Sequence, residues 1–196
     1  MTTKLITGIT PSRVRGNSPQ SSGATSYPIA SGAGAMYTGT PVRLSGGSLV
    51  PLVTSTQMAI GTFQGCSYVA DGEQYFKPYY SGVSASDIVG LVNDDPNQTY
   101  IISSDTTVAA GIVGKNVAAS NIAAGSTFTG RSTITALTTA GSVGTSAAGL
   151  FRVVGVVDEP GNAVGDPYTR LEVQMGAVSQ QNFINVLVTT PVTAFN

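Results

Sequence analysis

The sequence predicts a mostly β protein, a single β-sandwich or β-barrel-like domain with an extended N-terminal arm, and three observations carry that expectation. From Met36 onward the chain falls into short runs rich in Val, Ile, Thr, Tyr and Phe, residue types that suit a pleated, half-buried surface. Those runs are cut by Gly46-Gly47, Asp71-Gly72, Asp94-Asp95-Pro96-Asn97 and Glu159-Pro160-Gly161-Asn162, each a tight-turn combination with a steric reason. The runs recur at roughly 8 to 12 residue spacing, as in an all-β sandwich or barrel.

Residues 1–35 read as the arm. Pro11, Pro19 and Pro28, with Gly16, Gly23, Gly32 and Gly34 and many Ser, leave no room for a helix. Sparse apolar residues, Leu5, Ile6, Ile9 and Val14, suit anchoring to a surface. Arg13, Val14, Arg15, Tyr27 and Ile29 are the candidate partner-binding residues of this arm. With no acid nearby in sequence, Arg13 and Arg15 are expected to face a partner's carboxylates and to make its binding salt-sensitive.

Residues 36–176 form the expected β-rich domain. Its strand candidates are Pro41–Leu44, Leu49–Val53, Met58–Val69, Gln74–Tyr80, Ile88–Val92, Thr99–Ser103, Ser132–Thr138, Leu150–Val157 and Tyr168–Met175. In the last, Arg170, Glu172 and Gln174 alternate with Leu171, Val173 and Met175, the pattern of a strand with one wet face. Thr106–Ala124 is the one place where a short helix is expected, although Gly111 and Gly114 weaken it. Ala136–Gly149 has no period and reads as a loop or a flat strand. Residues 177–196 are expected to hold a C-terminal strand, Phe183–Val188, and a tail.

Composition narrows the function. Only 10% of the 196 residues are charged, against about 25% in an ordinary domain. A surface of Thr, Ser, Ala and Gly is a poor colloidal stabiliser, so much of it is expected to be covered in an assembly of copies. Net charge is −1, which gives no reason to expect nucleic acid or an anionic membrane as partner. Four basic and no acidic residues precede Asp71, whereas five basic and ten acidic residues follow from it, so the front is basic and the body acidic. The N-terminal residues lack the apolar core of a secretory signal, and no run approaches the ~18 to 20 apolar residues of a membrane span, so synthesis in a cytoplasm is expected.

The residues for catalysis are scarce. The sequence has no histidine, which removes Ser-His-Asp and Cys-His arrangements and the commonest zinc ligand. Cys66, the single cysteine, lies in a strand-like run between Gly65 and Ser67 and reads as a buried, inert thiol. The doublets Asp94-Asp95 and Asp158-Glu159 precede prolines and read as acidic turn tips; neighbours on a strand point to opposite faces and build no shared acid–base site. Asp94, Asp95 and Asp105 match no calcium-loop spacing. No catalytic residue, metal site or cofactor is expected, and the chain is expected not to be an enzyme.

Three phrases together resemble a known family. They are Gly39-Thr40-Pro41-Val42-Arg43-Leu44 with Leu49-Val50-Pro51 and the run from Ile60 to Tyr68; Val92 to Tyr100; and Phe151 to Tyr168. In order and company they are similar to the head decoration, or capsid cement, proteins of tailed bacteriophages, over about residues 36 to 176. The resemblance implies a β-rich structural virion protein, made in the host cytoplasm, that binds the major capsid protein on the outside of an expanded shell, commonly as a homotrimer. It implies no active site. The alternatives are another virion component, such as a tail or fibre protein, and a bacterial surface adhesin, which the missing signal disfavours.

Overall fold

The computed structural model describes residues 8–15, 23–82, 86–139, 142–144 and 149–175. In chain order the strands are β1 (Thr10–Val14), β2 (Thr25–Pro28), β3 (Met36–Tyr37), β4 (Pro41–Ser45), β5 (Ser48–Pro51), β6 (Gly61–Ala70), β7 (Glu73–Lys77), β8 (Tyr79–Tyr80) and β9 (Ser86–Asn93). There follow β10 (Gln98–Ser103), β11 (Asn116–Ser120), β12 (Gly125–Ser126), β13 (Arg131–Ser132), β14 (Thr135–Leu137), β15 (Val143–Gly144), β16 (Phe151–Val156) and β17 (Arg170–Met175). The fold is mostly β, and all strand pairs among the described residues are antiparallel.

Two main sheets define two lobes. The first has the order β2-β9-β6-β4-β5, with β7 added to β6; the second has the order β1-β10-β17-β16-β11-β14, with β15 added to β11. In the first sheet the residue after β2 meets β5 at one bridge, Ile29 to Leu49; in the second, Ser104, just past β10, meets Ala136 of β14 at another. A single bridge does not close a barrel, so of the two architectures expected from sequence the sandwich-like one describes the molecule. Each sheet has its own core. Met36, Val42, Leu49, Phe63, Cys66, Tyr68 and Tyr80 fill the first, whereas Tyr100, Ile102, Val117, Ile134, Leu150, Phe151, Val153, Leu171 and Val173 fill the second.

Local chemistry explains the first lobe directly. Ser45 pairs with Ser48 across Gly46-Gly47, whose φ values are 59° and 81°, and Ala70 pairs with Glu73 across Asp71-Gly72, at 53° and 80°. Positive φ at both central residues is the two-residue hairpin turn whose twist matches that of its strands. Pro78 ends β7, since proline cannot donate to a ladder, and divides the expected Gln74–Tyr80 run into β7 and β8. At Gly61 a Cβ would collide with the carbonyl of Asn93, so this glycine is where β6 meets the end of β9 at the joint between lobes.

The expected helix in Thr106–Ala124 is absent. Gly111 and Gly114 adopt φ of 77° and 86°, which breaks any helical turn, and Asn116–Ser120 then forms β11 with alternating burial. Ala136–Gly149 contains the end of β14 and all of β15. The β17 pattern follows the expected alternation, with Leu171, Val173 and Met175 buried and Arg170, Glu172 and Gln174 on the wetter face. The expected strand Phe183–Val188 and the rest of 177–196 lie outside the described residues.

The lobes are not independent. Ile9, Leu52 and Ala59 belong to the second core although they precede or interrupt the first sheet. The β12–β13 ribbon packs on β3 and β8: Gly130 accepts a bond from the Thr38 N–H at 2.9 Å, Thr38 accepts one from the Ser132 N–H at 3.0 Å, and Gly125 lies against the Tyr37 ring.

Candidate interaction surface

The arm residues named from sequence find their partners within the chain. The stretch around Arg13 is β1, an edge strand on β10, and the stretch around Tyr27 is β2, an edge strand on β9. Arg13 Nε donates to Glu172 Oε1 at 2.7 Å and Nη2 donates to Oε2 at 3.0 Å, a forked pair that reaches across β10 to β17. Thr99 Oγ1 lies 2.9 Å from the same Oε1. Partial burial pushes the Glu172 carboxyl up, but the hydrogen bonds from Arg13 and Thr99, with the charges of Arg13 and Arg15, outweigh it and hold the group below its ordinary value. Arg15 Nη1 donates to Gln174 Oε1 at 3.1 Å, and Val14 sits opposite Gln98.

Tyr27 and Ile29 pack against the first core. The Tyr27 hydroxyl donates to Asp94 Oδ2 at 2.7 Å and Thr25 Oγ1 donates to Oδ1 at 2.9 Å. Loss of water contact, then the bond to Asp94, pushes the Tyr27 phenol up to about 12. Arg13 thus has an acid within its own chain that sequence distance hid: Glu172 is 159 residues away in the chain but across one strand in space. Residues 1–7 and 16–22 of the arm lie outside the described residues.

Cys66, Asp95 and Glu159, also singled out from sequence, have partners within the chain. Cys66 is fully buried and its Sγ lies 3.4 Å from the Tyr79 carbonyl; burial pushes the thiol up to about 11, against the pull of Lys77. Asp95 Oδ1 accepts the Asn97 N–H at 2.8 Å, which makes the Asp94–Asn97 segment a capped turn, as its sequence indicates. Glu159 pairs with Arg170 at 2.7 Å. Among the described residues no three His, Cys, Asp or Glu side chains converge as a metal site, and no helix is long and apolar enough to cross a membrane.

What the surface does present is apolar. Phe128 is 98% exposed, Val53 65%, Phe76 62%, Val113 54%, Val164 47%, Tyr168 40% and Tyr75 38%. Tyr75, Tyr68, Lys77, Tyr79 and Tyr37 form a ladder: Tyr68 stacks on Tyr75 at 5.6 Å, Tyr37 on Tyr79 at 6.2 Å, and Lys77 Nζ stands 5.6 Å from the Tyr68 centroid. The ladder stiffens the β6–β7 hairpin. Phe128 was not singled out from sequence. Its signal is an isolated aromatic inside Ser126-Thr127-Phe128-Thr129-Gly130, where neither neighbour supplies a strand pattern that would bury it.

Comparison with known proteins gives no match: no family model, no curated protein and no solved structure is similar to this chain.

Proposed function

We propose that this chain is a structural virion protein that binds the outer surface of a tailed-phage capsid and stabilises the expanded shell. The observation that carries the reading is the exposed apolar set, from Phe128 to Tyr75, on a molecule with 10% charged residues. Large apolar groups on a weakly charged surface favour being covered by protein, and repeated copies of modest contacts sum over a shell. The resemblance noted in sequence supplies the particular shell. Its three phrases lie on β4-β5-β6, on the β9–β10 turn and on β16 with the loop to β17.

In this reading the partners are the major capsid protein and other copies of the chain, as a homotrimer; nucleic acid, membrane and cofactors have no part. The mechanism is additive. Apolar contacts and backbone hydrogen bonds, repeated by symmetry, oppose the outward pressure of packaged DNA. Stiff strands suit that task because little conformational entropy is lost on docking. Electron microscopy of the source particle tests the proposal. Density fitting this fold on the outer shell is expected; density confined to the tail, or none, overturns it.

A further inference from the structure

β7 (Glu73–Lys77) is an edge strand. It pairs with β6 on one side, in the register Ala70↔Glu73, Tyr68↔Tyr75 and Cys66↔Lys77, and no strand among the described residues pairs with its other side. The turn decides which backbone groups that open side presents. Asp71 and Gly72, at φ of 53° and 80°, make a two-residue turn, so the flanking pair Ala70 and Glu73 exchanges both N–H···O bonds. Bonded and non-bonded pairs alternate along an antiparallel ladder. Glu73, Tyr75 and Lys77 therefore turn their N–H and C=O groups to β6, while Gln74 and Phe76 turn theirs outward. No other backbone group among the described residues bonds to those four outward groups.

The side chains are ordered on both faces. Glu73, Tyr75 and Lys77 share one face with Tyr68, and Gln74 and Phe76 lie on the other. Tyr75 stacks on Tyr68 at 5.6 Å, Lys77 Nζ stands 5.6 Å from the Tyr68 centroid, and the Tyr75 hydroxyl donates to Glu73 Oε2 at 3.2 Å. On the opposite face Gln74 Nε2 donates to Ser67 Oγ at 3.2 Å. Glu73, Gln74, Tyr75 and Phe76 are all exposed. An unpaired edge of this kind is a template for another strand, and one whose side chains are already held loses little freedom when that strand arrives.

Glu73-Gln74-Tyr75-Phe76-Lys77 carries its acid two positions before Tyr75 and its base two positions after it. A second copy of β7, laid antiparallel with Tyr75 at the two-fold centre, therefore fits this edge. Gln74 lies opposite Phe76 of the second copy and Phe76 opposite its Gln74, so the outward groups exchange four N–H···O bonds. Glu73 lies opposite Lys77 of the second copy, twice over. Opposite charges set directly across a strand pair stabilise it, and like charges destabilise it. Registers centred on Glu73 or Lys77 set like charges face to face; one centred on Phe76 puts Pro78, which has no N–H, opposite Gln74, and one centred on Gln74 runs into the Asp71-Gly72 turn. The hairpin's remaining charge is Asp71. The two copies' Asp71 groups stand at opposite ends of the pair, about 26 Å apart at the strand rise and beyond the ~8 to 10 Å screening length.

We infer that β7 is a self-pairing edge: two copies of this chain join β7 to β7 about a two-fold axis and run their first-lobe sheets into one. Such a contact uses the same patch on both copies and closes on itself. It is small beside the about 20 to 30 residues a side of a stable interface, so it forms at high concentration or where copies are held together, and separates on dilution. It goes beyond the shell-binding reading and does not depend on it.

Sedimentation of the full chain over a concentration series in low salt tests it, with Glu73→Lys, Lys77→Glu and the double exchange beside the unmutated protein, and melting curves to show that each folds. The unmutated protein is expected to dimerise as concentration rises. Each single substitution opposes like charges at both ends of the strand pair and is expected to weaken the dimer by at least about tenfold, whereas the double exchange restores it. A monomer throughout the series overturns the inference, as does a dimer that the single substitutions leave unchanged or that the double exchange fails to restore. Gentle oxidation of mixed Glu73→Cys and Lys77→Cys proteins checks the register, the native Cys66 being buried. The mixed 73–77 dimer is expected in at least about tenfold excess over the same-site dimers, whose two sites would stand about 13 Å apart, beyond the reach of a disulfide. Equal yields of the three overturn the register and the inference with it. A chain that stays monomeric yet loses binding to source particles on single substitution gives the edge to a strand of the shell, which overturns the self-pairing and leaves the shell reading standing.

Discussion

The two lobes are built from the same material in different ways. Every main-sheet strand of the first lobe comes from residues 25–93, and two of its pairs are hairpins across two-residue turns. The second lobe is closed by distant partners: β10 pairs with β17, β11 with β16, and β1 is recruited from the N-terminus. Its core is also the larger, with 18 buried hydrophobic residues against nine, and it borrows Ile9, Leu52 and Ala59 from earlier in the chain. Local hairpins cost little loop-closure entropy, whereas distant pairs are rewarded only after long loops have closed. The second lobe takes a strand and three core residues from outside its own segment, so the molecule is expected to unfold as one cooperative unit.

The largest expected effects come from emptying either core. Phe63→Ala in the first lobe and Phe151→Ala in the second remove fully buried rings, and each is expected to cost about 3 to 5 kcal/mol. Because residues of one half fill the core of the other, both variants are expected to lower a single melting transition followed by calorimetry. Two separated transitions in either variant would break the idea of a shared unit.

A smaller effect sharpens the contrast inside the first lobe. Cys66→Ala removes one buried sulfur and is expected to cost about 1 kcal/mol or less. The thiol, pushed up to about 11, stays protonated at neutral pH, so a thiol reagent is expected to label native protein far more slowly than unfolded protein. Rapid labelling of the native state would contradict the packing described.

The smallest effect concerns the latch that ties β1 to the second lobe. The folded value of the Glu172 carboxyl lies below its unfolded value, so its contribution is present above the ordinary carboxylate range and is lost as pH falls through the folded value. Glu172→Gln is expected to cost less than about 1 kcal/mol near pH 7, given how exposed the Arg13 side of the fork is. The gap to the unmutated protein should narrow as pH falls below the ordinary carboxylate range and in high salt, as melting curves across both series would record. A gap that is constant with pH assigns the loss to packing and removes the latch.

The sequence by itself indicated the stretches that become β4 to β9 in the first lobe, though not β2 or β3, where the Gly46-Gly47 and Asp71-Gly72 turns fall, and which face of β17 is buried. These follow from φ preferences and from a period of two, both local properties of a few residues. It also indicated that Cys66 is buried and that the Asp94–Asn97 segment is a turn. Pairing between distant strands was not legible. The arm looked like a tail seeking a partner because Arg13 and Glu172 are neighbours only after β10 and β17 have paired, and Tyr27 meets Asp94 only after β2 has joined β9. Thr106–Ala124 looked weakly helical because nothing in it announces that Asn116–Ser120 has β14, β15 and β16 to pair with. Phe128 could not be ranked above other aromatics until the fold left it uncovered. Exposure and long-range partnership are properties of the assembled surface, so only tertiary structure decided them.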